Sequence, residues 1–177
     1  MSPAHRRFLL LEQGVGSVVV NFALNAVIAW LAFGGMERVP VWGQQSAVGD
    51  TIGTSLILPF LTCLISTRLV VGSVRRGRID ALPWTRASHP ALRWLPAGTL
   101  RRALVLALIG GIVFAPITVL ALDRFVASDM GLGRFIAFKA SFAAFEGLFV
   151  TPVVALWALA AAEPDSRASH ASRAASA

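Results

Sequence analysis

The stretch GRFIAFKASFAAFEGLFVTPVVALWALAAA, residues 133–162, decides the class of this protein. A helix of about 20 mainly apolar residues is long enough to cross a bilayer, and this stretch exceeds that length. It nevertheless contains Lys139 and Glu146, which are seven residues apart. Because seven residues make about two helical turns, both side chains project from one face, roughly 10 Å apart along the helix axis. The stretch therefore predicts a membrane helix with a buried polar face.

The composition of the whole chain agrees with a membrane protein. The 177 residues are 56% hydrophobic, and the mean hydropathy is +0.70. The net charge of +7 comes almost entirely from arginine, since Lys139 is the only lysine. The arginines adjoin apolar segments, where anionic lipid headgroups explain them better than nucleic acid does. We therefore expect the lipid bilayer as a partner, and no nucleic acid.

Four apolar segments predict an all-α, polytopic membrane protein, a four-helix up-down bundle. We place the spans at about 8–33, 51–71, 103–122 and 134–161, within a single membrane domain over residues 1–162. We expect the first segment to be a membrane helix and not a cleaved leader, because Glu12 and Gln13 interrupt it and no small-residue cleavage site follows. The polar tail at 163–177 reads as disordered.

The distribution of arginine predicts the topology. The N-terminal segment and the loop at 72–102 are strongly basic, whereas the loops at 34–49 and 123–134 balance acids against bases. By the positive-inside rule both termini and the 72–102 loop are cytoplasmic. Five arginines adjoining the membrane are expected to bind headgroups: Arg75, Arg76, Arg78, Arg101 and Arg102.

Polar residues inside the spans predict an interior polar seam. Asn21 and Asn25 lie one turn apart, and such asparagines usually bond across to a neighbouring helix. In the second span, hydroxyl side chains recur on the side that carries Pro59, after Asp50, which we expect to cap that helix. The seam comprises Asn21, Asn25, Thr51, Ser55, Thr62, Lys139 and Glu146.

The sequence leaves two interpretations open for Lys139 and Glu146. Lys139 and Glu146 could form a proton- or substrate-coupling pair, because ionisable groups at membrane depth mark such paths. The simpler interpretation is an internal ion pair that fixes helix register. Glu12 is expected to point away from the asparagine face and to lie close to the Arg6/Arg7 end, where it can reach the interface; this favours an inert interfacial carboxylate.

The runs NFALNAVIAWLAFGG, VPVWG and DTIGTSLILPFLTCLIST, with FKASFAAFEGLFVTP in the fourth span, resemble a family of small bacterial four-span membrane proteins that are loosely described as permeases. The resemblance covers nearly the whole chain. It implies a multi-pass protein of the bacterial inner membrane, and it brings no catalytic or binding residues.

Two functions remain open from the sequence. The first is a small permease or permease subunit, which requires a homo-oligomer or a larger complex to enclose a path. The alternative is a structural or accessory subunit of a membrane complex. No motif for hydrolysis, nucleotide binding or metal ligation occurs, so we expect no enzyme activity, no catalytic residue, no cofactor and no metal. The single cysteine, Cys63, is interpreted as a small buried hydrophobe.

Overall fold

The fold, taken from a computed structural model, is described for residues 1–84, 92, 94, 96–126 and 128–162. It contains four long helices, which we number α1 (Pro3–Phe33), α2 (Ala47–Arg75), α3 (Thr99–Phe125) and α4 (Leu132–Ala161). Each is long and apolar enough to cross a membrane. The prediction of an all-α four-helix membrane fold is confirmed. The expected tail at 163–177 and the middle of the basic loop lie outside the described residues.

Each helix begins or ends at residues suited to that position. Ser2 caps α1, with Pro3 in the first turn, and Ser46 caps α2 by accepting a hydrogen bond from the Gly49 N–H. The expected cap, Asp50, instead lies in the first turn of α2, where its negative charge suits the helix dipole. α2 ends at Arg75, and Gly77, two residues later, has a positive φ of 67° that allows the left-handed turn closing the helix.

The connections bring the helix ends together at two ends of the bundle. A strand in each outer loop, β1 (Arg38–Pro40) and β2 (Asp129–Gly131), forms a two-stranded antiparallel ribbon that joins the α1–α2 and α3–α4 connections. We call this the ribbon end. The sequence predicts plain loops, without strands, at both places. Arg38 donates to the Asp129 carboxylate at 2.7 Å, and this ion pair raises the pKa of Arg38.

The opposite end, which we call the arginine end, gathers the N-terminus, the α2–α3 connection and the C-terminal end of α4. The imidazole of His5 bonds the Asp80 carbonyl at 2.8 Å, and the Leu82 N–H donates to the Leu159 carbonyl at 3.0 Å. The helices therefore alternate in direction, as an up-down bundle requires.

Helix α4 lies at the centre of the protein. In its most apolar segment 67% of the residues are buried, against 11%, 22% and 28% for α1, α2 and α3. It packs along both α1 and α2, and α2 packs in turn along α3. Large apolar side chains such as Leu31 and Ile112 are exposed on the outer helix faces, as expected for surfaces in contact with lipid.

Candidate functional site: a groove between α1 and α2

A groove of about 570 Å³ separates α1 from α2, and α4 closes it from behind. Its volume lies in the range of about 300–1,000 Å³ that is usual for small-molecule sites. Glu12 and Gln13 line it toward the arginine end, and Asp50 and Lys139 line it toward the ribbon end. The groove therefore runs along most of the length of the bundle.

The residues that line each wall of the groove recur about every four positions along the helix. On each wall they form one mainly polar ridge and one mainly apolar ridge. The polar ridges lie deeper and form what we call the floor. Its polar lining residues are Gln13, Ser17, Asn21 and Asn25 of α1, Asp50, Thr54, Thr62 and Ser66 of α2, and Lys139 and Thr151 of α4. Leu58, one turn after Thr54, also lines the floor and interrupts the polar ridge of α2. The apolar ridges are exposed, and we call them the rims: Val20, Leu24 and Ile28 of α1, and Ile57, Leu61, Ile65 and Leu69 of α2.

The floor of the groove holds a buried ion pair. The ammonium group of Lys139 donates to the carboxylate of Asp50, and the two side chains are only 5% and 14% exposed. Helix α2 places Asp50 in its first turn, and α4 places Lys139 two turns from its own start, so the pair joins the two helices near the ribbon end. The prediction that Lys139 pairs with Glu146 is wrong, because the interhelical partner lies closer.

Glu12 lines the groove because the start of α1 is not an ordinary α-helix. The segment Phe8–Val15 is π-helical, and the Gly16 N–H bonds the Leu11 carbonyl five residues earlier. A π-helical turn contains more residues than an α-helical turn. Side chains within and before this segment therefore point in a different direction around the helix axis than they would in a regular α-helix. The expectation that Glu12 points away from the asparagine face is therefore wrong. Such π-helical stretches frequently mark functional sites.

The asparagines of α1 lie in the floor, as predicted, but they bond differently. The Asn21 amide donates to the Ser17 carbonyl at 2.9 Å, and the Asn25 amide donates to the Asn21 carbonyl at 3.0 Å. The bond that crosses to α4 comes from the Ser17 hydroxyl, which donates to the Gly147 carbonyl at 3.2 Å. The predicted seam did not include Ser17, although this residue lies one turn before Asn21.

Glu146 is buried on a different side of α4, outside the groove. Its exposure is 0%, and among the described residues neither carboxylate oxygen has a hydrogen-bond partner. It faces Gly110 of α3, at a point where the Ser55 carbonyl and the ring of Pro59 also approach. Pro59 has no N–H to donate to that carbonyl, so unpaired acceptors of α2 and α4 converge there.

The predicted seam is therefore two separate groups. Asn21, Asn25, Thr62 and Lys139 line the groove, whereas Thr51, Ser55 and Glu146 are buried without lining it. The Ser55 hydroxyl donates to the Thr51 carbonyl at 2.9 Å, within its own helix. Only the first group is accessible to a solute.

The five arginines expected at headgroups differ in their surroundings. Arg75, Arg76, Arg78 and Arg101 are exposed at the arginine end. Arg102 is only 1% exposed; its guanidinium carbon lies 4.1 Å from the centre of the Trp157 ring, and it donates to the Thr67 hydroxyl at 3.2 Å. The expected headgroup contact does not fit this position, because the side chain is enclosed by α2, α3 and α4.

Within the described ranges no group of three or more histidine, cysteine or acidic side chains could hold a metal ion. No known protein family matches the chain, and no curated protein or solved structure is significantly similar to it. The groove between α1 and α2 is thus the feature from which a function has to be inferred.

Proposed function

We propose that this protein is a small membrane permease, or the permease subunit of a larger assembly, and that a solute passes along the groove between α1 and α2. The observation that carries the proposal is a floor that is polar along most of its length, interrupted by Leu58 of α2, behind apolar rims. From Asp50 to Leu69 the α2 wall alone extends about 28 Å, close to the roughly 30 Å of a bilayer's hydrocarbon core. A polar group of the solute would contact the floor through this depth.

The distribution of charge supports an orientation with the arginine end in the cytoplasm. The exposed arginines Arg75, Arg76, Arg78 and Arg101 gather at that end, where anionic headgroups attract them. The bacterial inner membrane, suggested by the resemblance to small four-span proteins, belongs to the same proposal. The activity proposed is transport and not chemical conversion.

One observation favours an accessory role as the second candidate. The groove opens sideways between exposed rims, so a transmembrane helix of a partner subunit, or of a second copy, could occupy it. In that case the floor would hydrogen-bond the partner, and no water would reach it. The permease and accessory functions therefore differ in whether water reaches the floor of the groove.

Thiol labelling distinguishes the two functions without knowledge of the substrate. The single cysteine, Cys63, is fully buried, and its replacement by alanine gives a background for single cysteines. We expect Asn21→Cys and Ser66→Cys to react in intact membranes with a membrane-impermeant, charged methanethiosulfonate. Ile112→Cys, on the lipid-facing surface of α3, is the matched control and should stay unmodified.

A permease requires water in the floor, so labelling of the two groove cysteines and not of the control supports it. Protection of both groove cysteines at the level of the control would contradict the permease. If that protection is lost when the protein is purified away from its native membrane partners, the accessory role is the correct one.

A further inference from the structure

The charge of the groove is opposite to that of the chain. The protein has 16 basic and 9 acidic residues, yet the described lining of the groove contains two carboxylates, Glu12 and Asp50, and one cation, Lys139. None of the eleven arginines that the structure describes lines the groove. In a chain this basic, a groove with a formal charge of −1 would repel anions and attract cations.

The two carboxylates are not equivalent. Asp50 is neutralised by its ion pair with Lys139, whereas Glu12 is exposed and lines the groove at its opposite end. The basic side chains nearest to it in sequence, Arg6 and Arg7, precede it on α1, are exposed and do not line the groove. Among the described residues Glu12 forms no ion pair, so it supplies the unpaired charge of the lining, and the π-helical segment Phe8–Val15 turns it toward the groove.

The rims set a second requirement. They are formed by exposed branched aliphatic side chains, which favour an apolar partner, while the floor offers amide and hydroxyl groups. A solute that fits both surfaces has an apolar body and one polar, positively charged group. A strongly hydrated ion would lose its water against the rims, at a high cost in free energy.

From this combination we propose that the groove binds amphipathic monocations, with the cationic group on the floor and the apolar body between the rims. The assignment rests on the proposed permease function and specifies its substrate class. Glu12 is the entry carboxylate at the arginine end. Asp50 is the second contact, which the cation reaches by competing with Lys139. Lys139 disfavours the cation, and Glu12 favours it.

A pair of probes with the same shape and opposite charge tests the class. Full-length protein in lipid nanodiscs is incubated with radiolabelled tetraphenylphosphonium or tetraphenylborate, and empty nanodiscs correct for partition into lipid. We expect saturable binding of the phosphonium and none of the borate. Equal or stronger binding of the borate overturns the charge assignment, and failure of both probes to bind overturns the amphipathic class. The permease itself is tested separately by thiol labelling.

Substitutions at Glu12 and Lys139 should change the phosphonium affinity in opposite directions. A nonspecific effect on the protein would not produce opposite changes. Glu12→Gln should weaken phosphonium binding about fivefold or more, since the loss of one favourable charge contact is worth about that factor. Lys139→Gln should strengthen it. Glu37→Gln, in the exposed loop after α1, is the matched control and should change nothing.

Because Glu12 is exposed, we expect Glu12→Gln to fold normally. The binding test with this variant therefore remains decisive even if Lys139→Gln does not fold. Glu12→Gln with unchanged phosphonium affinity would overturn the role of this carboxylate.

Discussion

Alanine at Gly110 is predicted to destabilise the contact between α2 and α3. A Cβ atom at this position would lie 2.5 Å from the Ser55 carbonyl oxygen, 2.7 Å from the Pro59 Cγ and 3.1 Å from Glu146 Oε1. The nearest two atoms belong to the backbone and to a proline ring, and neither can rotate away. To restore ordinary contact at 3.4 Å the helices must separate by about 0.9 Å (3.4 − 2.5). Overpacking of this kind costs about 1–3 kcal/mol.

The adjacent glycine provides a control with the same substitution. A Cβ atom at Gly111 would meet only the side chain of Leu56, a flexible group at the protein surface that can change rotamer. Both substitutions gain about 1 kcal/mol of helix propensity, so this gain cancels in the comparison.

The assay is equilibrium unfolding of the two variants in the same bicelles, followed by helical circular dichroism. We expect Gly110→Ala to be less stable than Gly111→Ala by about 1–3 kcal/mol, the cost of overpacking that only the first substitution incurs. Equal stability of the two variants would refute the packing described for Gly110, because nothing else distinguishes the two glycines in this experiment.

Three further outcomes are expected in the same unfolding assay. Lys139→Met or Asp50→Leu alone should cost about 3–5 kcal/mol, and the double variant much less than their sum; additivity would show that the pair does not form. Glu146→Gln should not lower stability, since its carboxylate has no hydrogen bond to lose among the described residues; a large loss would reveal a missed partner. Arg102→Lys should destabilise, because lysine cannot keep both the stacking on Trp157 and the planar hydrogen-bonding geometry; a neutral result would deny that contact.

Hydropathy and charge were sufficient to predict the architecture. Spans predicted at 51–71 and 103–122 are observed as the helices α2 and α3, which extend several residues further at both ends. The extensions are amphipathic turns such as those around Arg75, where the sequence is no longer apolar enough to indicate a membrane helix but the backbone hydrogen bonds continue. Hydropathy therefore locates the membrane-crossing part and underestimates the helix.

The partners of the polar residues could not be predicted to the same extent. Helical geometry correctly placed Lys139 and Glu146 inside the protein, but the position of Asp50 depends on how α2 lies against α4. Helix packing selects among several nearby partners, and sequence spacing along one helix contains no information about a residue on another. The pairing with Asp50 thus required the tertiary structure.

The orientation of Glu12 was mispredicted for a local reason. A constant rotation of about 100° per residue was assumed along α1, and the π-helical segment Phe8–Val15 breaks that assumption. No residue type in this segment indicates a π-helix by itself. A carboxylate that appeared to face the lipid interface consequently lines the groove.

The central position of α4 has a consequence for biogenesis. Helix α1 packs mainly against α4, yet 98 residues (34–131) lie between the end of α1 at Phe33 and the start of α4 at Leu132. At about 5–20 residues per second, the ribosome needs roughly 5–20 s to synthesise that interval. For this time Ser17 and Asn25 have no α4 to cover them, and the nascent segments must be shielded by the insertion machinery. A chain truncated before Leu132 would therefore have a first helix that lacks its natural neighbour.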